Sequence, residues 1–286
     1  MIPRPADWGS HINITGFAFL SQASHYTPPD DLIEFLKAGP PPVYIGFGSI
    51  VVDQPEELTT MIFNAVKRAG VRALVSKGWG GIGGEKPPEG IMLLGNCPHD
   101  WLFKYVSAVV HHGGAGTTAI GIAMGKPTVV VPFFGDQPFW GAMIYKAGAG
   151  PEPVPYKKMT EESLAHSITT ALGPDIQTAV KVMAETIAGE HGNEDAAANF
   201  HHSLNVETMR CLLMPERVAI WRVKGTNLRL SNLAASTLLD HSLLELSQLK
   251  LFVSARTYRD FADKRTGSDI ETGMLMPDQR FQLWAL

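Results

Sequence analysis

Cysteine is scarce: Cys97 and Cys211 are the only two among 286 residues. A disulfide framework needs more, so this count points to a reducing compartment rather than a stapled secreted fold. Charge is sparse as well. Charged residues make up 18% of the chain, the net charge is −4, and no basic stripe is there to meet nucleic acid. No apolar run reaches the roughly 20 residues that a membrane helix requires. The start, Met1 to Trp8, lacks the apolar core of a secretory signal. Internal repeats and low-complexity tracts are also lacking. The chain reads as soluble, intracellular and cytoplasmic, a reading compatible with peripheral contact to a membrane. What it does have is 45% hydrophobic residues, enough for a core in one large domain or two small ones.

From about residue 40, short apolar runs alternate with helical patterns. Val43–Phe47, Val71–Val75, Ile91–Leu94, Ala108–Val110 and Thr128–Val131 are strand-like. Between the first two, Pro55, Glu56 and Glu57 make a good first helical turn. Leu58, Met61, Ile62, Ala65, Val66 and Ala69 follow at helical spacing, and Gly70 closes the helix. Strands apolar throughout and separated by helix-length segments predict a parallel sheet covered on both faces. Ligands of such sheets sit beyond the carboxyl ends of the strands. Ser49, the loop 76–85, the stretch 96–101, the stretch 111–118 and the loop 133–137 all follow predicted strands, so five loops converge on one rim.

Beyond residue 155 the pattern becomes helical. Helices are expected to start at Thr160–Glu162 and at Pro174, with a third capped by Asn193–Asp195. From Cys211 the character changes again, with a strand expected in Arg217–Val223 and a leucine-rich helix in Leu233–Leu249. The organisation expected is a linker over 1–40, a ligand-binding α/β domain over 41–205 and a mostly helical extension over 206–286, poorly ordered toward its end.

The densest motif is His111-His112-Gly113-Gly114-Ala115-Gly116-Thr117-Thr118. It follows a predicted strand, and Thr117 and Thr118 are expected to open a helix. A helix N-terminus presents free N–H groups and the positive end of its dipole, a seat for an anion such as a diphosphate. The motif is not a Walker loop, because no Gly-Lys-Ser/Thr follows, and it is not Gly-x-Gly-x-x-Gly after the first strand. Adjacent histidines make a poor metal pair, and no carboxylate or thiol completes a ligand set beside them. Downstream, Pro132-Phe133-Phe134-Gly135-Asp136-Gln137 carries a carboxylate and an amide, groups suited to hydroxyl-rich ligands. Taken alone, Asp136 is as readily a loop-capping carboxylate. Trp101 and Trp140 read as packing, and Trp79 either as an anchor of its Gly-rich loop or as a stacking surface.

The segment Val109–Gly150 resembles the donor-binding signature of the UDP-dependent glycosyltransferases of GT-B fold. His111–Thr118, Gly125-Lys126-Pro127 and the stretch from Pro132 to Gly141 are similar to the sterol 3-beta-glucosyltransferases, particularly fungal ones. So are Trp8-Gly9-Ser10-His11, Tyr44–Ser49 and Asn96–Phe103, and the likeness covers about residues 1–205. The stretch Pro215–Val223 is similar to extensions on filamentous-fungal members. The resemblance implies the C-terminal, Rossmann-like half of a GT-B fold and inverting transfer of glucose from UDP-glucose to a sterol or similar lipid hydroxyl. UDP-glucose is then a substrate, and no cofactor or metal is implied.

Carried over residue by residue, His112 and the amides of Ala115, Gly116 and Thr117 would hold the diphosphate, with Ser49 near its β-phosphate. Asp136 and Gln137 would bind sugar hydroxyls. Asn96, Cys97 and His99 would line the uracil and ribose pocket, partly through backbone atoms. Where plant members of the superfamily place a base-stacking Trp three residues before a Gln, this chain has Asn96 and His99, which leaves Trp79 as the candidate for stacking. The family's general base, a His backed by an Asp, belongs to the amino-terminal acceptor half. None of the ten histidines matches it, so the resemblance assigns no catalytic residue and gives these residues the donor-binding half only. A non-catalytic UDP-sugar-binding module, a transferase with a non-sterol acceptor and a UDP-sugar epimerase remain as alternatives.

Overall fold

The computed structural model describes residues 4–9, 12–20, 23–78, 81, 83 and 86–252. The chain divides into two compact units, Met1–Ala196 and Ala197–Leu286. In the first, five strands form an all-parallel sheet: β1 (Val43–Gly46), β2 (Ala73–Ser76), β3 (Ile91–Leu94), β4 (Ala108–His111) and β5 (Thr128–Val130). Their order across the sheet is β3-β2-β1-β4-β5. Around it lie α1 (Asp30–Lys37), α2 (Pro55–Ala69), α3 (His99–Leu102), α4 (Ala115–Ala123), α5 (Gln137–Lys146), α6 (Glu161–Ala171) and α7 (Pro174–Ala188), and α8 (Gly192–Ser203) runs across the boundary between the units. This is the parallel α/β arrangement expected from the sequence.

Successive strand side chains point to opposite faces, and the core follows that alternation. Val43 and Ile45 of β1, Val75 and Val110 pack with Leu58 and Ile62 of α2 and with Leu164 and Ile168 of α6. Tyr44, Leu74 and Val109 face the other way, onto Leu32 of α1 and onto Leu102 and Phe103. At the β5 edge, Val130 packs with Ile122, Ile144, Val180 and Ile187. Helices thus cover both faces, which is why strands such as β1 are apolar at every position.

Local signals set the helix ends. Gly70 caps α2 in the left-handed region at φ 66°, where a Cβ would be strained. Thr160 caps α6 through a reciprocal box with Ser163. α4 starts at Ala115 rather than at the expected Thr117. Gly114 is its N-cap, extended at φ −62°, ψ 139°, and its carbonyl accepts the Thr118 N–H at 2.9 Å.

In the second unit, β6 (Trp221–Val223), β7 (Arg229–Leu230) and β8 (Leu249–Leu251) form an antiparallel sheet of order β7-β6-β8, beside α9 (Asn232–Asp240). Cys211, Val223, Leu230, Ala234, Ala235 and Leu249 make its core. The helix expected over Leu233–Leu249 is realised only to Asp240. Ser242 takes φ 55°, its N–H bonds back to Leu239 O, and the chain reverses so that Leu249 pairs with Val223. The described part of this extension is therefore a helix on a small sheet, not helical throughout. Among the described residues, no helix is long and apolar enough to cross a membrane.

Candidate ligand site at the carboxyl edge of the sheet

The strand order reverses between β1 and β4, the point where parallel α/β sheets open a crevice. Gly46 pairs with His111 there, so the loops that follow, Phe47-Gly48-Ser49 and His112-Gly113-Gly114, are neighbours. A methyl group on Gly48 would sit 3.1 Å from His112 Cε1. The loop after β5 closes onto the same edge: Phe47 meets Phe133 edge-on at 5.5 Å, and Phe133 stacks on Tyr156 at 4.3 Å. A groove of about 400 Å³ lies beside this stack, lined by Ile50, Val51, Phe133, Phe134, Tyr156 and Lys157 among others.

The two motif histidines have different surroundings. His111 has no exposed surface, its Nδ1 accepts the Gly113 N–H at 2.9 Å, and burial pushes its imidazole down to about 3. Gly113 needs to be glycine twice over. Its φ is +89°, and a methyl there would meet Val130 Cγ1 at 2.8 Å and the Gln137 carbonyl at 3.0 Å. His112 is only half-buried, and its buried Nδ1 has no partner among the described residues. Burial holds His112 below the ordinary imidazole value, while the nearby Asp136 carboxylate pulls the other way. Next comes the first turn of α4, with no side-chain cap and no acidic residue. The amides of Ala115, Gly116 and Thr117 have no carbonyl one turn back to bond to. Gly116 is exposed, and a methyl on it would meet nothing within 4 Å, so its backbone faces open space.

Asp136 is the N-cap residue of α5, yet its side chain makes no capping bond. Its Oδ2 accepts the indole N–H of Trp140 at 2.7 Å instead. Gln137 is 5% exposed, and its Oε1 accepts the amides of Phe133 at 2.7 Å and Phe134 at 3.1 Å, stitching the loop to itself. Ser49 is exposed at the mouth of the crevice.

The base-side residues separate. Asn96 is exposed at the end of β3. Cys97 is buried in the core with Leu94 and Leu102, and burial pushes its thiol up. The His99 ring stacks on Phe103 at 4.6 Å and shares a hydrogen bond with Tyr44 Oη at 3.1 Å. Burial takes His99 down to about 4 and Tyr44 up to about 12, so both are neutral. Of these three positions, only Asn96 presents its side chain outward, while Cys97 and His99 can offer backbone atoms. Trp79 lies outside the described residues. Sequence reasoning missed the Tyr44–His99 pair and the Trp140–Asp136 bond. The i, i+4 spacing of the latter across a helix start was the available signal. Among the described residues, no cluster of His, Cys, Asp or Glu could hold a metal ion.

Comparison with known proteins bears on this geometry. Residues 83–199 match the model of the erythromycin biosynthesis protein CIII-like C-terminal domain. A sterol 3-beta-glucosyltransferase of Arabidopsis thaliana is 47% identical over 199 residues, 69% of this chain and 31% of the relative. One of Emericella nidulans is 37% identical over 222 residues, 73% of this chain and 16% of the relative. Plant and fungal relatives are thus both present, and the chain spans a third or less of the length of each. Among solved structures, the spinosyn forosaminyltransferase SpnP superposes with a TM-score of 0.50 at 20% identity, covering 62% of this chain and 48% of that one. Arabidopsis thaliana UGT89C1 complexed with quercetin gives 0.51 at 18% identity, covering 65% and 49%.

Proposed function

We propose that the chain is a member of the UDP-glycosyltransferase superfamily, as its similarity to the sterol 3-beta-glucosyltransferases suggests, and that its first unit holds the donor, UDP-glucose, for inverting transfer to the hydroxyl of a sterol or similar lipid. The carrying observation is the uncapped first turn of α4, opening on space at Gly116 beside His112. A diphosphate set there accepts from the three free amides and from an N–H of His112. A neutral His112 meets the anion without carrying a charge of its own, and the arriving negative charge then favours its protonation. That arrangement stabilises charge on the departing UDP as the acceptor oxygen bonds to the anomeric carbon and the carbon–phosphate-oxygen bond breaks.

Asp136 and Gln137 take the sugar hydroxyls, and backbone atoms of 97–99 with Asn96 face the base. The apolar groove beside Phe133 and Phe134 favours an apolar acceptor. None of the described residues is assigned as the base that deprotonates the acceptor, so the reading concerns donor binding. A cytoplasmic setting in peripheral contact with a membrane goes with this reading.

Calorimetry with UDP and UDP-glucose tests it. His112→Ala should weaken both ligands about tenfold, the scale of one charge-assisted hydrogen bond. Asp136→Ala should spare UDP and weaken UDP-glucose. Absence of binding by the unsubstituted chain would overturn the reading. Binding with no sterol glucosylation after an acceptor domain is added in trans would favour a donor-binding module instead.

A further inference from the structure

We propose that Trp140 is a positioning residue for sugar recognition, and that its bond to Asp136 leaves the Asp136 side chain to accept and the Gln137 side chain to donate. The inference rests on the assignment of Asp136 and Gln137 to the sugar. Gln137 Oε1 is already taken by the amides of Phe133 and Phe134. Two N–H donors at that atom fix it as the oxygen, so Gln137 has only its NH₂ to offer a ligand. Of the Asp136 and Gln137 side chains, only Asp136 can therefore accept from a sugar hydroxyl. The Asp136 carboxylate carries no helix-capping bond, and its Oδ2 is occupied by the Trp140 indole N–H at 2.7 Å. Oδ1 is left to accept from the ligand.

Trp140 is itself held rigidly. It is 7% exposed, with Phe17 at 5.9 Å and Phe139 at 5.4 Å from its ring. A fixed donor on a fixed ring sets the rotation of the carboxylate, and with it the direction from which a hydroxyl can approach Oδ1. Trp140 touches no ligand in this arrangement and acts through Asp136. The recognised ligand class is a nucleotide sugar carrying one hydroxyl that donates to Asp136 and a neighbouring oxygen that accepts from Gln137.

The test is Trp140→Phe in the full 286-residue chain, titrated with UDP and with UDP-glucose beside Asp136→Ala. Phenylalanine keeps the aromatic contacts and removes only the N–H. UDP affinity should stay within about twofold and UDP-glucose affinity should fall about tenfold, the loss expected from one hydrogen bond to a charged group. Trp140→His, which restores a ring N–H, should recover part of the loss, an effect that simple packing would not give. Unchanged UDP-glucose affinity in Trp140→Phe, with Asp136→Ala impaired, would overturn the positioning role alone. Equal losses of UDP and UDP-glucose in Trp140→Phe would overturn it as well, by marking the tryptophan as merely structural. An Asp136→Ala chain that binds UDP-glucose normally would remove the sugar assignment on which the inference stands.

Discussion

His99 and His111 are each kept neutral by burial, and that has a consequence for stability. Unfolded, both titrate near 6.5; folded, they titrate at about 4 and about 3. Protonation therefore favours the unfolded chain. The stability they contribute is complete above pH 6.5 and is lost as pH falls through 4 and then toward 3, at up to about 1.4 kcal/mol per pH unit for each. Denaturant unfolding followed from pH 7 to pH 4 should show this slope, and His99→Gln should flatten it by the share of one proton. The two residues also show where sequence reasoning stopped. The resemblance places His99 in the base pocket, partly through backbone atoms, and in the fold its ring stacks on Phe103 and bonds to Tyr44. Position in a motif says which loop a residue joins; which way its ring turns is decided by neighbours from other elements.

The approach to α4 and its first turn carry two glycines with opposite demands three residues apart. At Gly113 the backbone is left-handed and a methyl would collide with Val130 and the Gln137 carbonyl, so Gly113→Ala should cost about 2 kcal/mol or more of stability. At Gly116 φ is ordinary and space is open, so Gly116→Ala should leave the fold intact or stabilise it by up to about 1 kcal/mol. The same change should weaken UDP, because the methyl fills the space a phosphate needs. Thermal unfolding and calorimetry on the two variants separate these effects, and parallel losses of stability in both would contradict the contrast. Element boundaries were legible wherever a local signal fixed them, as Pro55 and Gly70 do for α2 and Thr160 does for α6. They were not legible in Leu233–Leu249. There a leucine-rich run satisfies a helix and a strand alike, and pairing of Leu249 with Val223 decides the matter.

For the whole molecule, the core is partitioned. Three hydrophobic clusters belong to the parallel sheet and its helices, and a fourth belongs to β6, β7, β8 and α9. Ending the chain after Leu204 should therefore leave UDP affinity within about twofold and retain a cooperative unfolding transition of its own. Loss of binding in that truncation would show that the extension contributes to the site. The parallel sheet could be read in advance because strands buried on both faces leave continuous apolar runs. The antiparallel sheet was legible only at β6, inside the strand expected over Arg217–Val223; β7 and β8 are two and three residues long and carry no readable period.

Among the helices that begin at the carboxyl edge of the parallel sheet, α4 and α5 have starts that differ in sign. α5 begins behind the carboxylate of Asp136, whereas the first turn of α4 has no acidic residue at all. Negative charge is thus supplied by the protein at one helix start and left for a guest at the other. A ligand whose anionic group faced Asp136 would be repelled there, whereas the same group is favoured at the start of α4. On the proposed reading, that polarity favours one placement of an anion at this edge over the other before any single hydrogen bond has formed.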